Sequence, residues 1–224
     1  MSADTRITLY GAMASRAHRT VWMLKELALP FRHVPVGFAD GSTRKPEFLA
    51  INPNGRVPVL DDDGFIVFES MAINLYLARK FGGPLAPVGL QQEAQATMWS
   101  FWVVTEVEKP LLFAAANRRL FPQGARDESL VQLALAKLDR PLKALDAHLA
   151  RTPHLLGEHF SVADLNVATV MDLAPQCGLA LDAWPQVQAW HRRCLARPAA
   201  ADWQDVSFSI PRPPEMLGLL KMFL

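Results

Sequence analysis

Cysteine is nearly absent from this 224-residue chain: Cys177 and Cys194 are its only two, both late in the sequence. That excludes a disulfide framework and a thiolate zinc cluster, and leaves both as buried, inert thiols. An excess of charge of one sign is also missing. The 23 Lys and Arg against 22 Asp and Glu leave a net charge of +1, with no basic block of the kind a phosphate backbone selects, so nucleic acid is not an expected partner. Long hydrophobic runs are absent too. The longest, such as "LLFAAA" (111–116), are far too short to span a bilayer, and "MSADTRITLY" lacks the apolar core of a signal peptide. The expectation is a cytoplasmic protein with no membrane association. Of the six histidines, the closest pair, His154 and His159, has no carboxylate–histidine signature beside it, so no metal site is expected.

What is present is apolar. Half of the residues are hydrophobic, enough for a substantial core in one large domain or two modest ones. "ITLY" (7–10) is a short β-prone run, and "ASRAHRTVWMLKELA" carries Ala17, Val21, Leu24 and Ala28 at helical spacing. "FRHVPV" (31–36) reads as a second strand and "TRKPEFLAINP" as a short helical or irregular connection. From Ser70, Ile73, Leu77 and Phe81 recur every four residues and predict another helix. After "FGGPLAPVGL" (81–90) strand signals vanish and long helices take over, so a boundary is expected near residue 85.

In the second part, Leu130, Leu133, Leu138, Leu142, Leu145 and Leu149 form a stripe interrupted by Pro141, which should kink a helix or mark a boundary. Ser161 followed by Asp164 is an N-cap pattern ahead of an apolar run. "PQVQAWHRRCLARP" reads as a helix opening at Pro185 and stopping at Pro198.

One stretch raises a question of its own. "INPNGRVPVLDDDGFIVFES" (51–70) reads as a hairpin turning at "DDDG", yet has Pro58 between two valines. A proline removes a ladder N–H and is confined to edge strands, strand starts and bulges, so Pro58 marks an edge or something that needs one.

The order of these elements, with "LYGAMASRAHRTV", "NPNGRVPVL", "FESMAINLYLARKF", "FSVADLNVA" and "WPQVQAWHRRCLARPA" at these spacings, resembles the cytosolic glutathione S-transferase family, in its serine-type, bacterial or theta-like form. The likeness covers nearly the whole chain. It implies an α/β thioredoxin-like N-terminal domain (1–84) that binds glutathione and an all-α C-terminal domain (92–224) contributing a hydrophobic substrate site. It further implies a homodimer, glutathione as co-substrate, an apolar electrophile as second substrate, and a cis bond before Pro58.

Glutathione sets three chemical demands. Its backbone can be held by a strand edge with free N–H and C=O groups, which the resemblance assigns to Val57 beside Pro58. Its γ-glutamyl end needs N–H donors for a carboxylate and a carboxylate for an ammonium. Ser70 at a helix start and Glu69 meet both needs, although Ser70 could equally cap its own helix. The same demand for anchoring extends to its glycyl carboxylate, which needs a cation, for which Lys45 and Arg56 are candidates that could equally be solvated surface charges.

The third demand is the thiol. A free thiol has a pKa of about 8.5, and lowering it by two units requires about 2.7 kcal/mol of selective stabilisation. A hydroxyl at a helix N-terminus contributes to this, which makes Ser15 the leading catalytic candidate against its competing role as a plain N-cap. The resemblance supports Ser15 through the following Arg19-Thr20-Val21. Tyr10 ranks second, because other family branches use a tyrosine near the end of the first strand. The absence of cysteine from the first domain argues against branches that form a mixed disulfide with glutathione.

Departures from the family pattern are Met71 after "ES" and Gly55 at one place where some members carry histidine. Met13, Trp102, Thr105 and Glu106 are candidates for the wall of an apolar cleft between the domains, and "SFSIPRPPEMLGLLKMFL" for its cap. Two other classes remain open: a non-catalytic binding protein carrying apolar ligands, and a glutathione-dependent peroxidase, isomerase or dehalogenase. "GAMASRAH" lacks the serine- and cysteine-rich stretch of an isomerase branch.

Overall fold

A computed structural model describes residues 6–203, so the C-terminal stretch expected to cap a cleft lies outside the described residues. The chain forms two units that divide between Ala86 and Pro87.

In the first unit, "ITLY" forms β1 (Ile7–Tyr10) and a crossover helix α1 (Ala17–Glu26) returns the chain to β2 (Arg32–Val34), parallel to β1. β2 stops ahead of Pro35 and is shorter than the expected 31–36, since proline cannot donate to the ladder. A 3₁₀ turn (Ser42–Arg44) and α2 (Pro46–Ile51) lead to the hairpin of β3 (Val59–Asp62) and β4 (Phe65–Phe68), and α3 (Ser70–Phe81) follows. Asp63 and Gly64 take φ of 56° and 90°, the two left-handed positions of a tight hairpin turn, and Asp61 Oδ1 accepts the Gly64 N–H at 2.8 Å.

The strand order is β2-β1-β3-β4, with β3 antiparallel to both its neighbours. This corrects the edge-strand expectation. β3 is interior, and Pro58 sits one residue before it, where no ladder N–H is needed. Leu9 and Leu60 at the sheet centre and Ile73 and Leu77 on α3 are fully buried. Each such side chain contributes roughly 1.5–3 kcal/mol relative to exposure.

Residues 197–203 cluster with this first unit, whereas the expectation placed them with the helical domain. A 3₁₀ segment (Pro198–Trp203) packs against α1. The physical cause is Glu26, a carboxylate on α1 that accepts from Trp22 Nε1 at 2.9 Å and needs a counter-charge, which Arg197 provides.

The second unit comprises α4 (Gly89–Trp102), α5 (Glu108–Arg119), α6 (Glu128–Ala136), α7 (Asp139–Leu149), α8 (Val162–Met171), the short α9 (Leu173–Gln176) and α10 (Pro185–Leu195). Every residue of α8 is buried, so it forms the axis of this unit. Its start is held by a capping box between Ser161 and Asp164, and the fully buried Asp164 also accepts from Leu155 N (2.9 Å) and Trp190 Nε1 (2.8 Å).

The leucine stripe breaks between α6 and α7, and Pro141 falls in the first turn of α7, where proline is tolerated. α6 has its own phase: Val131 is buried and Leu133 is 60% exposed, unlike the expected inward leucine. Between α4 and α5 the backbone winds as a π-helical turn (Val103–Val107), closed by the Glu108 N–H bonding to Val103 O. Among the described residues no helix is long and apolar enough to cross a membrane.

Candidate active site

The sheet register brings the candidate residues of the first unit to one end of the sheet. Tyr10 pairs with Val59, and Val59 pairs with Phe68. The next residues outward are therefore Gly11 after β1, Pro58 and Val57 before β3, and Glu69 and Ser70 after β4. Three chain segments leave the sheet together there. Gly11 makes their approach possible. A Cβ on it would lie 2.8 Å from Ala17 Cβ, 3.2 Å from Val57 Cβ and 3.4 Å from Ser15 Oγ, and its φ is 141°. Only glycine lets the Ser15 loop and the Val57 corner close around that point.

Ser15 lies in the loop just ahead of α1. Its Oγ donates to Ala12 O at 2.6 Å and accepts the Ala17 N–H at 3.1 Å, while its own N–H donates to Ala12 O at 2.9 Å. The hydroxyl is thus both a cap for the start of α1 and a half-buried donor whose proton is held by one loop carbonyl. The loop is tied to the sheet by Gly11 N to Val34 O (2.9 Å) and Ala12 N to Val36 O (2.9 Å), and by His33 Nε2 donating to Gly11 O at 2.7 Å.

The Val57–Pro58 bond is cis, and Pro58 is buried. The Val57 N–H and C=O lie outside the ladder and have no hydrogen-bond partner among the described residues. The preceding "NPNG" turn is built by Asn52, which is 1% exposed. Its Nδ2 donates to Arg56 O at 2.8 Å, and its Oδ1 accepts from Asn54 N at 3.1 Å. Gly55 has φ of 59°, and a Cβ there would come 2.9 Å from Thr43 O, which explains glycine where histidine was looked for.

Glu69 precedes α3 with φ of 72°, a left-handed conformation that a non-glycine residue holds only at a cost of order 1–3 kcal/mol. Ser70 opens the helix and is 3% exposed, and Ile73 N is the first donor to close back, onto Glu69 O at 2.9 Å. The N–H groups of Ser70, Met71 and Ala72 therefore make no intrahelical bond, which leaves a concentrated positive end.

Lys45, extended ahead of Pro46 at the start of α2, and Arg56 both have exposed side chains. Neither of them, nor Glu69, enters an ion pair among the described residues. Tyr10 is half-buried and its backbone is paired on both sides. Met13 is half-buried in the Ser15 loop.

In the second unit, Trp102 stacks edge-on against Trp99 with centroids 5.1 Å apart. Thr105 and Glu106 are exposed within the π turn rather than on a regular helix face, and Thr105 Oγ1 is taken up locally by Phe101 O at 3.0 Å. Three residues that shape the first-unit site were not singled out from sequence: Gly11, Asn52 and His18. A glycine directly after a strand and the "NPNG" turn were readable signals for the first two. Nothing in the sequence pointed to His18.

A family model for the glutathione S-transferase N-terminal domain matches residues 5–79, and one for the C-terminal domain matches residues 106–198. The chain belongs to the glutathione S-transferase family. Its two units are the thioredoxin-like and all-helical domains of that family. Glutathione S-transferase 3 of Zea mays is 35% identical over 219 residues, covering 93% of this chain and 96% of the relative. Glutathione S-transferase GstB of Escherichia coli K12 is 30% identical over 200 residues, covering 86% and 95%.

Among solved structures, a glutathione S-transferase-I bound with lactoylglutathione superposes with a TM-score of 0.80 at 32% identity, covering 88% of this chain and 97% of that one. The theta-class enzyme of Xanthomonas axonopodis pv. citri with glutathione bound gives 0.83 at 27% identity, covering 92% and 100%. Among the described residues no group of three or more His, Cys, Asp or Glu could hold a metal ion.

Proposed function

We propose that this transferase activates the thiol of glutathione at Ser15 and directs the thiolate onto an electrophilic carbon of an apolar second substrate. The observation that carries the reading is at Gly11, where Ser15 Oγ and the Cβ of Val57, the residue whose backbone groups lie outside the ladder, flank one point at the open end of the sheet. A cysteinyl unit hydrogen-bonded to the Val57 N–H and C=O would bring its sulfur toward that hydroxyl. The Ala17 N–H already donates to Ser15 Oγ, which polarises the hydroxyl and strengthens it as a donor once its proton turns from Ala12 O to sulfur.

The remaining groups hold the tripeptide. The hydroxyl of Ser70 and the open N–H groups of the α3 start take the γ-glutamyl carboxylate, Glu69 takes the ammonium, and Lys45 and Arg56 attract the glycyl carboxylate. Attack forms the carbon–sulfur bond while the leaving group departs with its electron pair, so catalysis is thiol activation plus proximity. Met13, Trp102, Thr105 and Glu106 contribute to binding the apolar electrophile. The protein works as a cytoplasmic homodimer, as the family resemblance implies.

Ser15→Ala tests the assignment. Conjugation of glutathione to an activated aryl chloride falls by about 10²-fold in kcat, the range for losing one donor to a developing or stabilised anion, while the Kd for glutathione stays within about twofold. Unchanged turnover would move the role to Tyr10 or to backbone groups. Absence of glutathione binding at millimolar ligand would favour a carrier of apolar molecules over an enzyme.

A further inference from the structure

We propose that His18 is a positioning residue, whose imidazole fixes the Ser15–Arg16 peptide and thereby the direction of the Ser15 hydroxyl. The inference rests on the assignment of Ser15 as the thiol activator. His18 lies in the first turn of α1 and is 8% exposed. Its ring Nδ1 donates to Ser15 O, and its backbone N–H donates to the same oxygen at 3.3 Å. One carbonyl is therefore held by two donors of a single residue. That carbonyl belongs to the peptide immediately preceding the Ala17 N–H–Ser15 Oγ bond. If the peptide plane rotates, the donor that polarises the hydroxyl moves with it.

The chemistry of the ring suits a fixed clamp. Burial and the neighbouring Arg19 charge hold the imidazole pKa down to about 3, against the opposing pull of hydrogen bonds to the Ser15 and Met13 carbonyls. The ring is neutral throughout the working range, with a single N–H that the Ser15 carbonyl fixes on Nδ1. The grip consequently does not titrate while the glutathione thiol does.

The test compares variants that differ in where they place a donor. Asparagine puts an amide N–H near the position of Nδ1, glutamine puts one near Nε2, and leucine fills the space with no donor. The readout is the pKa of the enzyme-bound glutathione thiol, followed by thiolate ultraviolet absorbance, with kcat, KM and glutathione Kd in parallel.

His18→Gln and His18→Leu should raise the bound-thiol pKa by about one unit, which is a tenfold loss of thiolate on the acid side, with glutathione Kd within about twofold. Activity should recover at pH above the shifted value, and His18→Asn should behave as the parent. If all three variants shift alike, or if none shifts while Ser15→Ala does, His18 is a packing residue only. The Ser15→Ala/His18→Gln double variant should show no shift beyond that of Ser15→Ala. An additive shift would mean that His18 acts on the thiol by another route, and overturns the proposal. No shift in Ser15→Ala itself removes the Ser15 assignment on which the inference rests, an outcome distinct from failure of His18 alone.

Discussion

Arg197 grips Glu26 at two points, Nε to Oε1 at 2.6 Å and Nη2 to Oε2 at 2.7 Å, across 171 positions of sequence. The Glu26 side chain is 7% exposed, so removing its partner strands a mostly buried carboxylate with, among the described residues, the Trp22 indole N–H as its remaining donor. Arg197 is itself 36% exposed, which moderates the loss. Arg197→Ala should destabilise the protein by about 2 kcal/mol, seen as a fall in Tm of about 4–8 °C by circular dichroism. Arg197→Lys should recover only part of it, because an ammonium cannot reproduce the two-point geometry. A Tm within one degree of the parent would show that the segment after α10 is merely laid against α1.

Gly11→Ala should damage turnover more than stability. The added methyl would sit 2.8 Å from Ala17 Cβ in a backbone conformation that side chains avoid, so the Ser15 loop or the Val57 corner must move. A displacement of about 1 Å at a reacting group can cost 10²-fold, so kcat/KM for conjugation should fall by that order. Steady-state kinetics alongside thermal unfolding separate the two effects. Full activity would mean that the three chain segments at the sheet end need not meet.

Asn52→Ala removes the bond to Arg56 O and the support for Asn54 N. Leaving these groups without partners costs about 1–3 kcal/mol, part of it as mobility of the Arg56–Val57 segment. The expected signature is a KM for glutathione raised by about tenfold with kcat at saturation within twofold, as for a loss of uniform binding. The opposite split would place Asn52 in the chemical step.

His191 gives an acid limit to stability. Buried on α10 with Nε2 donating to Ala168 O at 3.2 Å, it has its pKa lowered by burial to about 4. Between about pH 6.5 and 4 the unfolded chain takes up a proton that the folded chain refuses. The stabilisation is therefore complete above pH 6.5 and is lost as pH falls toward 4, by about 3 kcal/mol. Urea unfolding at pH 7.5 and 4.5 measures this, and His191→Gln should flatten the dependence. His18, lowered further to about 3, adds to the same slope in the same direction.

Local chemistry was readable from the sequence. "DDDG" gave the hairpin turn, Ser161 with Asp164 the capping box, and the spacing of Ile73 and Leu77 the inward face of α3, because each depends on residues within one or two turns of each other. Pro58 was informative but its context was not. Whether a strand is interior depends on β1 and β4, which pair with it from elsewhere, and the pattern of β3 alone is the same in either position. The return of Arg197 to Glu26 and the clamp of Asn52 on Arg56 are single pairings that no periodicity reports. Ser15 became a candidate through its place before a helix, whereas the carbonyl that holds its proton, Ala12 O, is visible only once the loop is folded.

The π-helical turn at Val103–Val107 spends one residue more than regular winding would need. Side chains beyond it are therefore rotated by about 100° about the axis relative to an uninterrupted continuation of α4. Deleting a single position there would reset the phase of all of α5 without touching a loop. The turn thus works as an adjustable collar, in which one amino acid more or less sets the direction in which every side chain of α5 points.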